Sequence, residues 1–217
     1  MSFTAVIFDL DGTLLDTLAE IADSMNGVLT RLGYPTHDLQ AYRYLTGDGV
    51  AALVTNALPP GARDEPALRR AGELLREEYL KNWGHKAKPY DGIPELLDAL
   101  AARHVSLNVL SNKMNEFTRM AVQQFLGRWA FDEVLGESPK FPRKPDPASA
   151  LHIAERLGRR SSEVAYLGDT RIDMETAVAA GMYPVGALWG FRDKEELLAS
   201  GAQAVISAPL EFLSFFS

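Results

Sequence analysis

The sequence predicts an α/β fold, a doubly wound and mostly parallel sheet of Rossmann-like type with an inserted α-helical domain. Three observations predict it. Short apolar runs end in small or acidic residues, helical patterns lie between them, and one interval between runs is far too long for a plain crossover.

The first run, Ala5-Val6-Ile7-Phe8, is followed at once by Asp9. A continuous apolar run suits a strand buried on both faces, which need not alternate. Leu18, Ile21, Ala22, Met25, Leu29 and Leu32 then recur at helical spacing, and Gly33 stops them. Pro59-Pro60-Gly61 marks a turn, and Leu68, Ala71, Leu75 and Tyr79 mark another helix. The second run is Val105 to Leu110, followed by Ser111-Asn112. Between Phe8 and Val105 lie about 96 residues, against about 30 for a whole βαβ unit. The surplus is assigned to a helical insertion over residues 16–88, returning through Pro89-Tyr90-Asp91-Gly92. Residues 1–15 and 89–217 then form the α/β core.

Within that core, Ile93 to Ala102 reads as a helix with Pro94 near its start, where a missing N–H costs little. Asn115 to Phe125 is the next helix, and Pro147 to Leu157 follows with Asp146 as candidate cap. Val164 to Leu167 is the third strand, ending in Gly168-Asp169, and Ile172 to Ala180 is a helix closed by Gly181. Tyr183 to Ala187 and Ala204 to Ile206 complete the strands, and Phe212, Phe215 and Phe216 are expected to pack a terminal helix.

Composition narrows the function classes. The chain has 217 residues and no cysteine, which excludes disulfides, thiolate metal sites and cysteine nucleophiles. A net charge of −7 argues against nucleic acid as a partner. No apolar run approaches the roughly 18 residues needed to span a bilayer, and no basic stretch leads an apolar one at Met1-Ser2-Phe3-Thr4. A soluble, cytoplasmic protein, monomer or homodimer, is expected. The histidines have no metal-site spacing, and Walker-type, Gly-x-Ser-x-Gly and His-Glu-x-x-His motifs are missing from the sequence.

In open α/β sheets ligands bind beyond the carboxyl ends of the strands. Asp9, Ser111 and Asp169 follow three such ends and should converge, with Asp11 and Thr13 on the first loop and Asp173 one helical turn past Asp169. Four carboxylates in one pocket would repel strongly: a single pair ~4 Å apart costs about 4 kcal/mol at an effective dielectric of 20. That crowd calls for a cation, and an all-oxygen ligand set selects Mg²⁺. Lys144 adds a positive charge from the stiff segment Arg143-Lys144-Pro145-Asp146-Pro147. A carboxylate nucleophile, charge neutralisation and a nearby acid are the parts that phosphoryl transfer needs.

Taken singly, each residue also has a plain structural role. Asp11-Gly12 suits a turn, Ser111-Asn112 a helix cap, Asp173 a helix N-terminus, and Lys144 a solvated surface. Gly47 and Gly49 suit positive φ in a loop, and Arg43 and Lys113 suit either the surface or a substrate anion.

Together the segments resemble the haloacid dehalogenase-like superfamily. Asp9-Leu10-Asp11-Gly12-Thr13-Leu14 is similar to its first motif. Ser111-Asn112, Lys144 and Gly168-Asp169-Thr170-Arg171-Ile172-Asp173 match the second, third and fourth in order. The helical insertion is similar to that family's type-1 cap domain. The resemblance implies Asp9 as nucleophile and Mg²⁺ ligand, and Asp11 as general acid/base with its backbone carbonyl on the metal. It implies Ser111, Asn112 and Lys144 on the phosphoryl group, Lys144 also orienting Asp9. Asp169 and Asp173 support the metal, and Thr13 bonds Asp11 or the phosphate loop. The carboxylate at Asp11 sets the chain apart from the dehalogenase branch. Leu45-Thr46-Gly47-Asp48-Gly49-Val50 and Ser111-Asn112-Lys113 resemble phosphoglycolate phosphatases, with Gly47 on a substrate-facing loop. The implied activity is a Mg²⁺-dependent phosphatase for a small phosphorylated metabolite, 2-phosphoglycolate favoured. Phosphomutase, pyrophosphatase and a non-catalytic phospho-ligand module are the alternatives. The cap is expected to close over substrate about linkers near Leu14–Thr17 and Pro89–Gly92.

Overall fold

Strand β1 (Ala5–Phe8) is buried at every residue, and its side chains divide between two cores. Val6 and Phe8 point to one face of the sheet and Ala5 and Ile7 to the other, as the period of 2 requires. A computed structural model describes residues 3–216 of the chain. After β1 come β2 (Leu15–Asp16) and helices α1 (Leu18–Arg31), α2 (Tyr42–Leu45), α3 (Val50–Ala57) and α4 (Glu65–Asn82). Then follow β3 (Lys88–Pro89), α5 (Ile93–Ala102), β4 (Ser106–Met114), α6 (Asn115–Leu126), β5 (Glu133–Glu137) and α7 (Ala148–Arg156). The chain ends through β6 (Val164–Gly168), α8 (Arg171–Ala179), β7 (Tyr183–Ala187), α9 (Lys194–Ala199) and β8 (Ala204–Ile206).

The main sheet has six parallel strands in the order β5-β4-β1-β6-β7-β8. Helices cover both faces: Leu96, Leu97 and Val122 of α5 and α6 join the core containing Phe8, while Ile153 and Ala177 of α7 and α8 join the core containing Ile7. The doubly wound expectation holds. The chain runs outward from central β1 through β4 to β5, then crosses back to β6, so β1 flanks the topological switch point.

Three local expectations change. β4 runs on past Leu110 to Met114, with a register shift between those residues, so Ser111 and Asn112 lie in an irregular strand end rather than capping a helix. β5, Glu-Val-Leu-Gly-Glu, carries no apolar run because it is a half-buried edge strand. The terminal phenylalanines lie on a 3₁₀ run, Pro209–Phe215, and just past it; Phe212 is fully buried against Phe8.

Between β2 and β3 the four helices build a core of their own from Met25, Val28, Leu29, Tyr42, Leu53 and Leu74. The long loop after α1 is held by Asn26, whose side chain accepts from the His37 N–H at 3.0 Å and the Tyr42 hydroxyl at 2.7 Å. α4 starts on a capped turn in which Asp64 accepts from the Ala67 N–H, with Pro66 in the first turn. β2 and β3 pair antiparallel, Leu15 to Pro89 and Asp16 to Lys88, so entry to and exit from the helical unit lie side by side. The unit docks on the sheet body through the aromatic contacts of Tyr79 and Trp83 with Phe117 and through a set of main-chain acceptors. Arg43 donates to the carbonyls of Gly190 (2.8 Å) and Phe191 (3.0 Å), so it is not free to meet an anion. Arg192 donates to Thr46, Arg143 to Asp48, and the Asn112 amide to Gly47. Among the described residues no helix is long and apolar enough to cross a membrane.

Candidate active site

The carboxyl ends of β1, β4 and β6 bring Asp9, Ser111 and Asp169 to one edge of the sheet. The Asp9 N–H extends the β1–β6 ladder to the Leu167 carbonyl at 2.9 Å, which fixes the Asp9 backbone. The chain then turns tightly, the Leu10 carbonyl accepting from the N–H groups of Thr13, Leu14 and Leu15. Gly12 occupies this turn with φ +91°, and a Cβ there would collide with the Asp169 carboxylate.

Asp9, Asp169 and Asp173 are all buried and offer carboxylate oxygens within 4.8 Å of one another. Lys144, 6% exposed, reaches into them: its Nζ lies 2.8 Å from Asp9 Oδ1, 2.6 Å from Asp173 Oδ1 and 3.0 Å from the Leu110 carbonyl. Three acceptors meet three ammonium donors, so the charge is fully bonded. Asp173 Oδ2 caps its own helix on the Thr170 N–H (3.1 Å) and hydroxyl (2.7 Å). Asp169 accepts from the Thr13 hydroxyl at 2.9 Å and the Phe191 N–H at 2.8 Å.

Several expected partners change. The carboxylate crowd has three members, because Asp11 turns away to Lys113, whose Nζ lies 3.0 and 3.1 Å from its two oxygens. Thr13 bonds Asp169 rather than Asp11 or a phosphate loop. The Asn112 amide is engaged with main chain, accepting from the Lys144 N–H at 2.9 Å and donating to the Lys144 carbonyl at 3.1 Å. It therefore positions Lys144 instead of facing a phosphoryl group. Ser111 Oγ accepts from the Lys113 N–H at 3.2 Å. Gly47, Ser111, Asn112, Asp9 and Asp11 all line one cavity between the helical unit and the sheet.

Of the two roles open to Lys113, surface or anion contact, its burial beside Asp11 favours the second. The cavity-lining Tyr79 and the Trp189-Gly190-Phe191 loop after β7 carry no sequence assignment to the site and border it. Trp189 donates its indole N–H to the Thr13 carbonyl at 2.9 Å, and a Cβ on Gly190 would collide with Asp169. β7 also ends at the ligand-binding edge, which was the available signal. Gly190→Ala should displace Asp169; we expect a stability loss of about 1–3 kcal/mol and at least roughly tenfold weaker Mg²⁺ binding by calorimetry.

The charges do not balance: three buried carboxylates share one ammonium. Burial first, then Asp173, raises the Asp9 pKa from 3.8 to about 7, with Lys144 partly offsetting. Burial, Asp9 and Asp173 likewise push Asp169 well above the carboxylate range. Burial works against the Lys144 charge, yet Asp173 and Asp9 hold its pKa well above the usual value. Such a buried cluster of hard oxygens with surplus negative charge fits a divalent cation. A pH dependence follows. Above pH ~4 the unfolded chain has released the Asp9 proton that the metal-free folded state keeps to about 7, so stability falls as pH rises through that window. Scanning calorimetry of metal-free protein should show Tm falling between about pH 5 and about pH 7.5, with the Mg²⁺-induced rise in Tm growing over the same interval. A flat profile would contradict the charge surplus.

Residues 6–187 match the family model described as haloacid dehalogenase-like hydrolase. A phosphoglycolate phosphatase of Aquifex aeolicus is 33% identical over 186 residues, 86% of this chain and 85% of the relative. One from Psychrobacter arcticus is 30% identical over 217 residues, 96% and 94% respectively. The crystal structure of a candidate phosphoglycolate phosphatase from Lactobacillus delbrueckii subsp. bulgaricus superposes over 100% of both chains with a TM-score of 0.93 at 27% identity. By sequence and by fold, the chain belongs to the haloacid dehalogenase-like hydrolases.

Proposed function

We propose that the protein is a Mg²⁺-dependent phosphatase acting on a small phosphate monoester, 2-phosphoglycolate in first place, through an aspartyl-phosphate. The observation that carries this reading is the division of labour between two aspartates two residues apart. Asp9 sits in the buried cluster with Lys144, whereas Asp11 lies on the open cavity beside Lys113. The named relatives support the substrate.

Lys144 holds Asp9 Oδ1 and leaves Oδ2 for attack on phosphorus. As that bond forms, the bond from phosphorus to the ester oxygen breaks, and Asp11 gives its proton to the departing oxygen. Asp11, now a carboxylate, takes a proton from water, which attacks phosphorus and frees Asp9 and phosphate. Ser111 binds the transferring group, Lys144 orients Asp9 rather than donating to the phosphoryl oxygens because its three donors are taken, and Asn112 fixes Lys144. Asp9, Asp169 and Asp173, with the Asp11 carbonyl, would hold Mg²⁺, which supplies positive charge against the phosphoryl oxygens. Thr13 and the Phe191 N–H hold Asp169 in place.

Residues 16–88 act as a cap over the core of residues 1–15 and 89–217, moving about the β2–β3 pair and excluding water when closed. Gly47 borders the substrate space in the closed form. We place the protein in the cytoplasm, as monomer or homodimer, with no nucleic-acid or membrane partner. A phosphate-ester panel with Mg²⁺ tests the reading: release of free phosphate, fastest from 2-phosphoglycolate, is expected. Isomerised sugar phosphate with little free phosphate would instead mark a phosphomutase, preferred cleavage of pyrophosphate a pyrophosphatase, and binding without turnover a non-catalytic module.

A further inference from the structure

We infer that Lys113 is the specificity-determining cation of this site, binding a carboxylate carried one carbon away from the ester oxygen of the substrate. The inference rests on the phosphatase reading and names the residue that selects its substrate class.

Lys113 is a poor surface residue. Its side chain is 8% exposed, its Nζ lies 4.7 Å from the centre of the Tyr79 ring, and it lines the cavity between cap and core. The other cation lining that cavity, Arg76, is spent on an exposed ion pair with Glu116 at 2.7 Å. Arg43 is spent on main-chain carbonyls, and Arg192, bonded to the Thr46 carbonyl and to Glu196, does not line the cavity. Lys113 alone among these presents its head group to the reacting side, and of its three donors Asp11 takes at most two.

Distance does the rest. Protonating the leaving oxygen requires that oxygen to sit about 2.6–3.2 Å from Asp11. Lys113 Nζ lies 3.0 and 3.1 Å from the same carboxylate, so ammonium and ester oxygen are neighbours across Asp11. Ordinary bond lengths put a carboxylate on the adjacent carbon about 3 Å beyond the ester oxygen, which closes the gap to Nζ. A neutral group of the same length can accept from Nζ but forms no ion pair there. Much of the remaining wall, Ile21, Val50, Leu53, Leu75 and Phe117, is apolar, and Ser24 and Thr46 add neutral hydroxyls but no second cation.

The test compares 2-phosphoglycolate with its neutral counterpart 2-hydroxyethyl phosphate, both with Mg²⁺. Calorimetric binding to Asp9→Asn, which cannot form the phosphoenzyme, should favour the carboxylate by about thirty-fold, and Lys113→Met in that background should abolish the preference. Lys113→Gln keeps a donor for Asp11 but not the charge, and it should lose the preference equally. In the Asp9 enzyme the same variants should lower kcat/KM for 2-phosphoglycolate chiefly through KM and shrink its ratio to the neutral ester by a similar factor. A preference that survives both substitutions, or is missing before them, overturns the inference. Protein that hydrolyses neither ester but retains Lys113-dependent binding would overturn the phosphatase reading and leave this one standing.

Discussion

Asp9→Asn is expected to lower turnover of every phosphate ester by about four orders of magnitude, as loss of a covalent nucleophile does. Acid-quenched single turnovers should show no protein-bound phosphate. The same substitution should not weaken the metal-free fold. Because burial and Asp173 raise the Asp9 pKa to about 7, its charged form is the unfavourable one above that pH. A neutral amide of the same shape removes that cost, so metal-free Asp9→Asn should melt at or above the original protein near pH 8. Dead enzyme with intact or raised Tm would be the signature of a reacting group. Near-normal turnover would end the covalent mechanism.

Lys144→Met should have the largest effect on stability. It leaves Asp9, Asp169 and Asp173 buried without a protein cation, since Lys144 is the ammonium bonded to both Asp9 and Asp173. Removing one partner from a buried ion pair typically costs about 3–5 kcal/mol. For a chain of this size that is a fall in Tm of roughly 6–20 °C. Two further features should identify the cause. Saturating Mg²⁺ should recover part of the loss by occupying the same negative pocket. Lowering the pH to about 5 should recover part as well, because protonated carboxylates no longer need the ammonium. A loss insensitive to both would point to packing rather than charge.

Much of the fold could be read from the chain because the central strands are buried on both faces. Ala5–Phe8 and Val164–Gly168 show as unbroken apolar runs, and their ends point to Asp9 and Asp169 without further information. The surplus length before β4 likewise marks the helices between β2 and β3. What stayed hidden has tertiary causes. β5 is half-buried at the sheet edge, so its composition resembles a loop. The Lys113–Asp11 pair joins residues 102 positions apart, and spacing cannot reveal which way a long side chain turns. Asp169 is held by a main-chain N–H at Phe191, and a main-chain donor leaves no trace in residue identity. The Asn112 side chain suits a substrate contact by residue type, but its amide is taken up by main-chain groups of Lys144 and Gly47 that only the fold brings near.

The grip between helices and sheet body has an evolutionary corollary. Arg43, Arg192, Arg143 and Asn112 all bond carbonyl oxygens, at Gly190 and Phe191 on one side and Thr46, Gly47 and Asp48 on the other. Every residue type carries that carbonyl, so the side chain at position 46 can change without loosening these bonds, and a change at position 48 gives up only an exposed 4.0 Å pair with Arg171. Selection can therefore rewrite this rim of the cavity for a new substrate while the machinery around Asp9 stays untouched.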